Sequence, residues 1–569
     1  MTDFKQSVTE IADICAKKGV SQFILSPGSR SAPLTLALVR HSDIHCKIVV
    51  DERSAAFVAL GIAQQTGHPV GLVCTSGTAT LNYGPAVGEA FYQHIPLLIF
   101  TADRPAEWID QNDNQTIHQQ RIFANHSRGF FQLPVEDPHP DARWHTQRSV
   151  SDAVNKCLWP IPGPVQINVP LREPLYPLKK FQSSAEGKVI SLMHPEVKLS
   201  DGTWQELQRL WLSAKKRMIL GGLHDPDAKL TEALSQFIKA DQAVVCGDVT
   251  SNIQQCGGSY FYDAVFSSQK GEVREDLPPD LLITFGGPLV AKGLKLTLRK
   301  FRPKQHWYLQ SEADAIDTYQ ALTRILPVTP EYFFPELKEK VLSEEHVSGK
   351  AYVDLHKRIE NLAAEKITVF LESSPLCELT AMKVILTKLP TASHLQLGNS
   401  SIVRVANFVG LRELQSIKVN SNRGTSGIDG TVSTAVGAAL TTEKMTTLIT
   451  GDLAFFYDRN GLWNNFLPNN LRIIVFNNSG GGIFRLLEGS RKLPELETWF
   501  ATEQNLSAKA TAEQHGLTYF RADSMTDVAS ILDVFFKPSK TAALLEIIFD
   551  KNQNSELYLK FMSMAREIA

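Results

Sequence analysis

Residues 451–484 read GDLAFFYDRNGLWNNFLPNNLRIIVFNNSGGGIF, and two apolar runs at this stretch decide the fold. The first, TTLIT, leads into Gly451 and Asp452. The second, RIIVF, ends on Asn477 and Asn478, followed by Ser479 and three glycines. Short, unalternating apolar runs bounded by turn residues read as strands buried on both faces, hence parallel and covered by helices. In an open parallel sheet, ligands bind at the C-terminal edge of the strands. Asp452 and Asn478, 26 residues apart, can therefore converge on one point. A carboxylate and a carboxamide are hard oxygen donors suited to Mg²⁺ or Ca²⁺. Two side chains do not fill an octahedral shell, so the other positions go to water and phosphate oxygens. Gly480, Gly481 and Gly482 let the backbone come close to such a phosphate. The stretch is either a metal-diphosphate anchor or a surface loop rich in Asn and Gly.

The first third of the chain repeats this pattern. Its apolar runs QFIL, CKIVV, PVGLVCTS, PLLIFTA and PVQINVP alternate with helical stretches, which implies a second parallel sheet covered on both faces. The strand ends carry Ser26-Pro27-Gly28-Ser29-Arg30, Asp51-Glu52-Arg53, Thr75-Ser76-Gly77-Thr78 and Thr101-Ala102-Asp103-Arg104-Pro105. Turn amides and Arg30 can hold an anion at a helix start. Glu52 enters the nearly all-apolar helix SAAFVALGIAQQ, either as a partner of the helix dipole or as a functional acid. Between these blocks, KRMILGG, AVVCGDV, LLITFGG and HWYLQ read as strands of a middle domain without GxGxxG after the first of them, so a dinucleotide site is disfavoured. A linker is expected at about 172–187 and a charged helical stretch at about 335–366. The glycine-rich loop 422–430 runs into a helix of small residues, which allows close backbone approach. The first and last blocks share a doubly wound pattern, a hint of duplication in fold.

At 569 residues the chain exceeds one core, and three domains are the natural division: 1–180, 190–345 and 355–569. Apolar content of 43%, charge of 21% and a formal net charge of −2 describe a globular protein and argue against a nucleic-acid binder. Seven cysteines, scattered and never CxxC, fit free thiols in a reducing compartment. Without a signal-peptide pattern or a long apolar run, a cytoplasmic protein with no membrane or nucleic-acid partner is expected.

The acid after the second strand, together with the GD…NN pattern, resembles the thiamine diphosphate-dependent enzymes. More narrowly, SPGSRSAPLTLAL, DERSAAFVALGIA, TSGTATLN, TADRP, NQTI, GNSSIVR, SNRGTSGIDG and NNSGGGIF resemble, in order, the family of 2-succinyl-5-enolpyruvyl-6-hydroxy-3-cyclohexene-1-carboxylate synthases (MenD). The resemblance implies an α/β fold of three doubly wound parallel-sheet domains of the thiamine diphosphate enzyme type: pyrimidine-binding, central and diphosphate-binding. It also implies a homodimer or homotetramer with the cofactor between subunits, and the cofactors thiamine diphosphate and Mg²⁺ (or Mn²⁺). The implied reaction decarboxylates 2-oxoglutarate and adds the succinyl unit to isochorismate.

By the same resemblance, Asp452, Asn478 and the Gly480 carbonyl ligate the metal, and Thr78, Ser426 and Ile428 join them at the cofactor, Ile428 beneath the rings. Glu52 is the catalytic acid, sharing a proton with N1′ of the aminopyrimidine. Both substrates are dicarboxylates, so the nearly neutral chain needs local cations, and Arg30, Arg104, Arg404 and Arg423 stand at strand-end or loop motifs. Ser29, Asn114, Gln115, Ser400, Ile483 and Phe484 line the same pocket by resemblance. Thr78 equally fits a helix cap. Lys292 faces the neighbouring domains or solvent, and Gly293 follows it where some relatives have a second base. GDL replaces the commoner GDG, and a His-His pair of simple 2-oxo acid decarboxylases is absent. Two alternatives stay open: an acetolactate-type synthase, which would not need the arginines, and a catalytically silent subunit, which would not keep Glu52, Asp452 and Asn478 together.

Overall fold

The structure, a computed structural model, describes residues 5–135, 139–177, 187–267, 275–311, 314–342, 349–410 and 416–568. The described residues form three sheets, and every strand pair described among them is parallel. The first contains β1 (Gln22–Leu25), β2 (His45–Ile48), β3 (Val70–Cys74), β4 (Leu97–Asp103), β5 (Gly129–Gln132) and β6 (Val165–Pro170), in the order β2-β1-β3-β4-β6-β5. The second contains β7 (Arg217–Gly221), β8 (Val244–Gly247), β9 (Leu281–Phe285), β10 (Gln305–Leu309) and β11 (Arg324–Leu326), in the order β11-β10-β9-β7-β8. The third contains β12 (His394–Leu397), β13 (Lys418–Ser421), β14 (Thr446–Gly451), β15 (Leu471–Asn477), β16 (Thr518–Ala522) and β17 (Ala543–Ile548), in the order β13-β12-β14-β15-β17-β16. Counted from its own first strand, the third sheet repeats the order of the first, which gives the expected duplication a topological form. This α/β architecture is the doubly wound, parallel-sheet fold that the alternating pattern predicts.

The central strands β3, β4, β6, β14 and β15 are buried almost throughout, as their apolar runs require. The run CKIVV, expected as such a strand, forms the edge strand β2 instead, half-exposed over His45–Ile48. Short edge strands β5, β11 and β16 carry no strong apolar run and go unread in the sequence. The centre of the expected linker, 178–186, lies outside the described residues, and 187–200 has neither helix nor strand. The charged stretch becomes the helices Pro330–Val341 and Lys350–Ser373, with 343–348 between them outside the described residues.

By contact density the chain forms two compact units, Met1–His194 with Asn422–Glu443 and Phe455–Leu471, and Pro195–Ser421 with Lys444–Ala454 and Arg472–Ala569. In the first unit the helix Glu52–Thr66 packs against Thr431–Ala439. A Cβ on Gly61 would lie 2.1 Å from the Thr434 carbonyl oxygen, and one on Gly437 would lie 2.1 Å from that of Val58. The small residues of both helices thus permit backbone-to-backbone approach. In the second unit one apolar core runs from β7 and β8 through the helices Glu378–Lys388 and Ser401–Val409 to β15 and β17. Among the described residues no helix is long and apolar enough to cross a membrane.

Candidate active site

In both six-stranded sheets the chain order reverses between the first and third strands. This switch point is where open α/β sheets bind ligands. In the third sheet it lies between β12 and β14, and Asp452 stands immediately beyond β14, with Asn478 immediately beyond the neighbouring β15. Asp452 is 2% exposed, and its Oδ2 accepts from the Gly480 N–H and Gln504 Nε2, each at 2.8 Å. Burial raises its pKa against these hydrogen bonds and the Arg485 charge.

Asn478 is 6% exposed, and its Nδ2 donates to Glu378 Oε1 at 2.6 Å. Its Oδ1 is buried without a hydrogen-bond partner. Such an orphan costs roughly 1–3 kcal/mol, and a bound cation removes that cost. The Gly480 carbonyl accepts from the Gly482 N–H at 2.9 Å and keeps a second lone pair for a ligand. Arg485 ties the turn down by donating to the Asn478 carbonyl at 3.1 Å while its other nitrogens grip Glu497. The donor set of Asp452, Asn478 and the Gly480 carbonyl therefore fits a hard divalent ion such as Mg²⁺ or Mn²⁺.

The glycines of this turn have an additional use. A Cβ on Gly480 (φ +130°) would lie 2.5 Å from the Ala501 carbonyl oxygen, and one on Gly482 would lie 2.4 Å from Asn478 Nδ2. The close approach is thus to the protein's own atoms as well as to any phosphate. Ile483 and Phe484 follow at the start of a short helix, half-buried, with the Phe484 ring 5.9 Å from that of Phe500. Ser400 (φ +69°) precedes the helix Ser401–Val409, and Arg404 on that helix donates back to the Ser400 carbonyl. Lys292 is exposed at the first position of the helix Lys292–Lys300.

In the first unit, Asp51 caps the helix Glu52–Thr66 by accepting from the Ser54 N–H at 3.2 Å. Glu52 is half-buried at the first helical position, within electrostatic reach of Cys74 and Tyr83. The N-cap is therefore Asp51, and Glu52 is the acidic residue of the first turn, where it also faces the helix dipole. The switch point here joins the ends of β1 and β3, where a Cβ on Gly28 would strike Thr75 and the buried hydroxyls of Thr75 and Ser76 have no partner. Gly77 enters the short helix Thr78–Asn82 with no side-chain cap, so Thr78 is not the N-cap, and its side chain is exposed.

Arg30 is buried and donates to the Leu171 carbonyl at 2.8 Å. Its pKa is lowered by burial and then by the neighbouring Arg104 charge, against the opposing pull of Glu173, Asp113 and Asp103. Arg104 already pairs with Asp113 at 2.8 Å and donates to the Asn114 carbonyl at 2.8 Å. Ser29, Asn114 and Gln115 are exposed beside these elements.

Arg423, Ser426 and Ile428 share the glycine-rich loop, with Arg423 buried and Ile428 39% exposed. Ser426 (φ +66°), Gln115 (φ +54°), Ser400 and Ser479 (φ +60°) all hold positive-φ backbone, a feature they share with residues elsewhere in the chain such as Asp241 and Ala392. Two acids of this architecture escape a sequence reading. Glu89 accepts from the Gly424 and Thr425 N–H groups, each at 2.7 Å, and Glu378 holds Asn478. Each lies in a helix with no motif around it, and no local signal marks either one.

Residues 7–122 match the family described as "Thiamine pyrophosphate enzyme, N-terminal TPP binding domain". The 2-succinyl-5-enolpyruvyl-6-hydroxy-3-cyclohexene-1-carboxylate synthase of Cytophaga hutchinsonii is 42% identical over 557 residues, 98% of either chain. The synthases of the same name from Flavobacterium psychrophilum and Desulfotalea psychrophila are each 39% identical, covering 97% and 94% of this chain and 97% and 99% of their own. Identity at this level, running from end to end through all three sheets, exceeds what a common fold requires, and the chain belongs to the family of 2-succinyl-5-enolpyruvyl-6-hydroxy-3-cyclohexene-1-carboxylate synthases within the thiamine diphosphate-dependent enzymes.

Proposed function

We propose that the chain decarboxylates 2-oxoglutarate and joins the succinyl unit to isochorismate by 1,4-addition, giving 2-succinyl-5-enolpyruvyl-6-hydroxy-3-cyclohexene-1-carboxylate and CO₂, a carboligase step of menaquinone biosynthesis. Thiamine diphosphate, when bound, supplies the electron sink that lets a 2-oxo acid lose CO₂ and react as a nucleophile at its former carbonyl carbon. The observation that carries the assignment is the buried, unpartnered Asn478 Oδ1 beside Asp452 at the switch point of the third sheet, in a chain similar throughout to synthases of this name. Asp452, Asn478 and the Gly480 carbonyl hold Mg²⁺ or Mn²⁺, which neutralises the diphosphate. Ile428 presents an apolar side chain to the ring system, and Ser426 and Thr78 contact the cofactor.

Glu52 holds and moves the proton at N1′ of the aminopyrimidine, as a general acid–base. Arg30, Arg104, Arg404 and Arg423, with Lys292, receive the substrate carboxylates, and planar guanidinium suits bidentate binding. Ser29, Asn114, Gln115 and Ser400 orient the substrates, while Ile483 and Phe484 form the apolar wall. The three-domain division at 1–180, 190–345 and 355–569, a homodimer or homotetramer, and a cytoplasmic location complete the reading. Free thiols at all seven cysteines support a reducing compartment.

The test incubates the purified protein with thiamine diphosphate, Mg²⁺ and 2-oxoglutarate, with and without isochorismate, and follows CO₂ and product mass. CO₂ release and a product of the expected mass only when both substrates are present support the assignment. Pyruvate replacing 2-oxoglutarate without loss would point instead to an acetolactate-type synthase.

A further inference from the structure

The side-chain amide of Asn478 has a donor end and an acceptor end, and the donor end faces Glu378. Nδ2 donates to the Glu378 carboxyl oxygen, and Oδ1 points away. The Nδ2 to Glu378 Oε1 contact is 2.6 Å, and Oδ1 is left buried with no hydrogen-bond partner. Glu378 is itself tightly placed. It is 3% exposed and opens the helix Glu378–Lys388, whose start is fixed by reciprocal hydrogen bonds between Cys377 and Thr380. Its N–H donates to the buried Asn554 Oδ1 at 2.8 Å, and Ser401 hydrogen-bonds its side chain. Glu378 thus reaches Asn478 from a helix 100 residues earlier in the chain, braced by a third element at the C-terminus. A contact serving only to join helix to strand does not require the opposite end of the amide to be free. A ligand held for a cation does.

We propose that Glu378 is a positioning residue of the metal-diphosphate anchor: by accepting from Asn478 Nδ2 it keeps Asn478 Oδ1 as the free, ligating end. The inference rests on the reading of Asp452 and Asn478 as metal ligands. Partners that orient a metal ligand from outside the coordination shell typically matter 10–100-fold in metal affinity.

The test titrates the protein with Mn²⁺ in the presence of saturating thiamine diphosphate and counts free Mn²⁺ by electron paramagnetic resonance, so no turnover is needed. Glu378→Leu removes the acceptor and is expected to weaken Mn²⁺ binding about tenfold or more. Glu378→Gln keeps an acceptor oxygen and is expected to stay within about threefold of the parent, a rescue that follows from amide orientation. Glu378→Asp keeps the charge but withdraws the oxygen by about one methylene, beyond hydrogen-bond reach, and is expected to weaken binding even if the leucine variant fails to fold. Parent-like Mn²⁺ affinity in the leucine or aspartate variant overturns the proposal, as does equal weakening by Gln and Leu, which would make charge the cause. Asp452→Ala is measured alongside. If that variant also binds Mn²⁺ like the parent, the anchor reading is what has failed, and a loss in Asp452→Ala with none in the Glu378 series isolates the failure to Glu378.

Discussion

Replacing Glu89 with glutamine tests whether the glycine-rich loop is held from beneath by a single carboxylate. Glu89 is 1% exposed in the helix Gly84–Gln93. Its Oε1 accepts from the Gly424 N–H at 2.7 Å and from Gln93 Nε2, and its Oε2 accepts from the Thr425 N–H at 2.7 Å and Thr425 Oγ1 at 2.5 Å. Four donors saturate the lone pairs of one carboxylate. In Glu89→Gln an NH₂ group replaces one of these oxygens. If it takes the Oε2 side, the Thr425 hydroxyl can turn to accept from it, but the Thr425 N–H faces a donor and is orphaned. An orphaned buried N–H costs roughly 1–3 kcal/mol, and the remaining bonds lose charge assistance, so the loop is expected to be destabilised by about 3 kcal/mol. At about 1.4 kcal/mol per decade, the amides of 424 and 425 should lose roughly a hundredfold of hydrogen-exchange protection. The assay is hydrogen–deuterium exchange by mass spectrometry, comparing peptides over 422–430 with peptides over β3 and β4. Exchange at 422–430 within about threefold of the parent, or a rise of the same size across both regions, would refute the reasoning. Under the proposed function the loop matters because it carries Arg423, Ser426 and Ile428.

Four further outcomes are expected. Glu52→Gln should leave thiamine diphosphate binding nearly intact while turnover falls by about 10²–10⁴, and near-parent turnover in a steady-state assay would remove Glu52 from its role. Asp452→Ala should weaken cofactor binding, measured by fluorescence titration, with partial recovery at excess Mg²⁺, and unchanged affinity counts against the anchor. Gly430→Ala should destabilise the protein by about 3 kcal/mol in urea unfolding, because the backbone there is left-handed (φ +71°) and a Cβ would lie 2.2 Å from the Phe57 ring; a parent-like midpoint would show that the ring yields freely. The fourth concerns pH. Burial, with Asp248 beside it, pushes the Asp263 carboxyl up to about 7. The folded state then binds more protons than the unfolded chain between about pH 4 and 7, so this group's contribution falls as pH rises through that window, by at most about 1.4 kcal/mol per unit. Asp263→Asn should match the parent near pH 4 and gain on it toward pH 8, and a constant offset across pH would contradict the cause given.

The positions of Asp452, Asn478 and Glu52 were legible because each closes or follows a local pattern. Asp452 and Asn478 end apolar runs, and Glu52 opens an apolar helix. The small-residue helix around Gly437 was legible as a site of close approach, but its partner around Gly61 was not. Edge strands were harder. His45–Ile48 forms β2 half-exposed, although the run CKIVV looks as buried as any other, because burial at a sheet edge depends on what covers it. The arginines were legible as cations but not by their neighbours. Arg104 pairs with Asp113, and Arg30 lies buried against the Leu171 carbonyl, 141 residues away.

The sequence by itself determined the parallel α/β class, the strand ends that carry polar residues, and the family, since all three are written in local runs and short motifs. The tertiary structure alone decided which end of the Asn478 amide is free, which acid caps the helix at Glu52, and what holds the glycine-rich loop. These depend on hydrogen bonds between groups far apart in sequence, 335 residues for Glu89 and Gly424 and 100 for Glu378 and Asn478. Such pairs leave no periodicity in the chain, because a single buried carboxylate looks the same in sequence whether it meets water, a lysine or a backbone amide. Only the packing of the helices that carry them sets the partner.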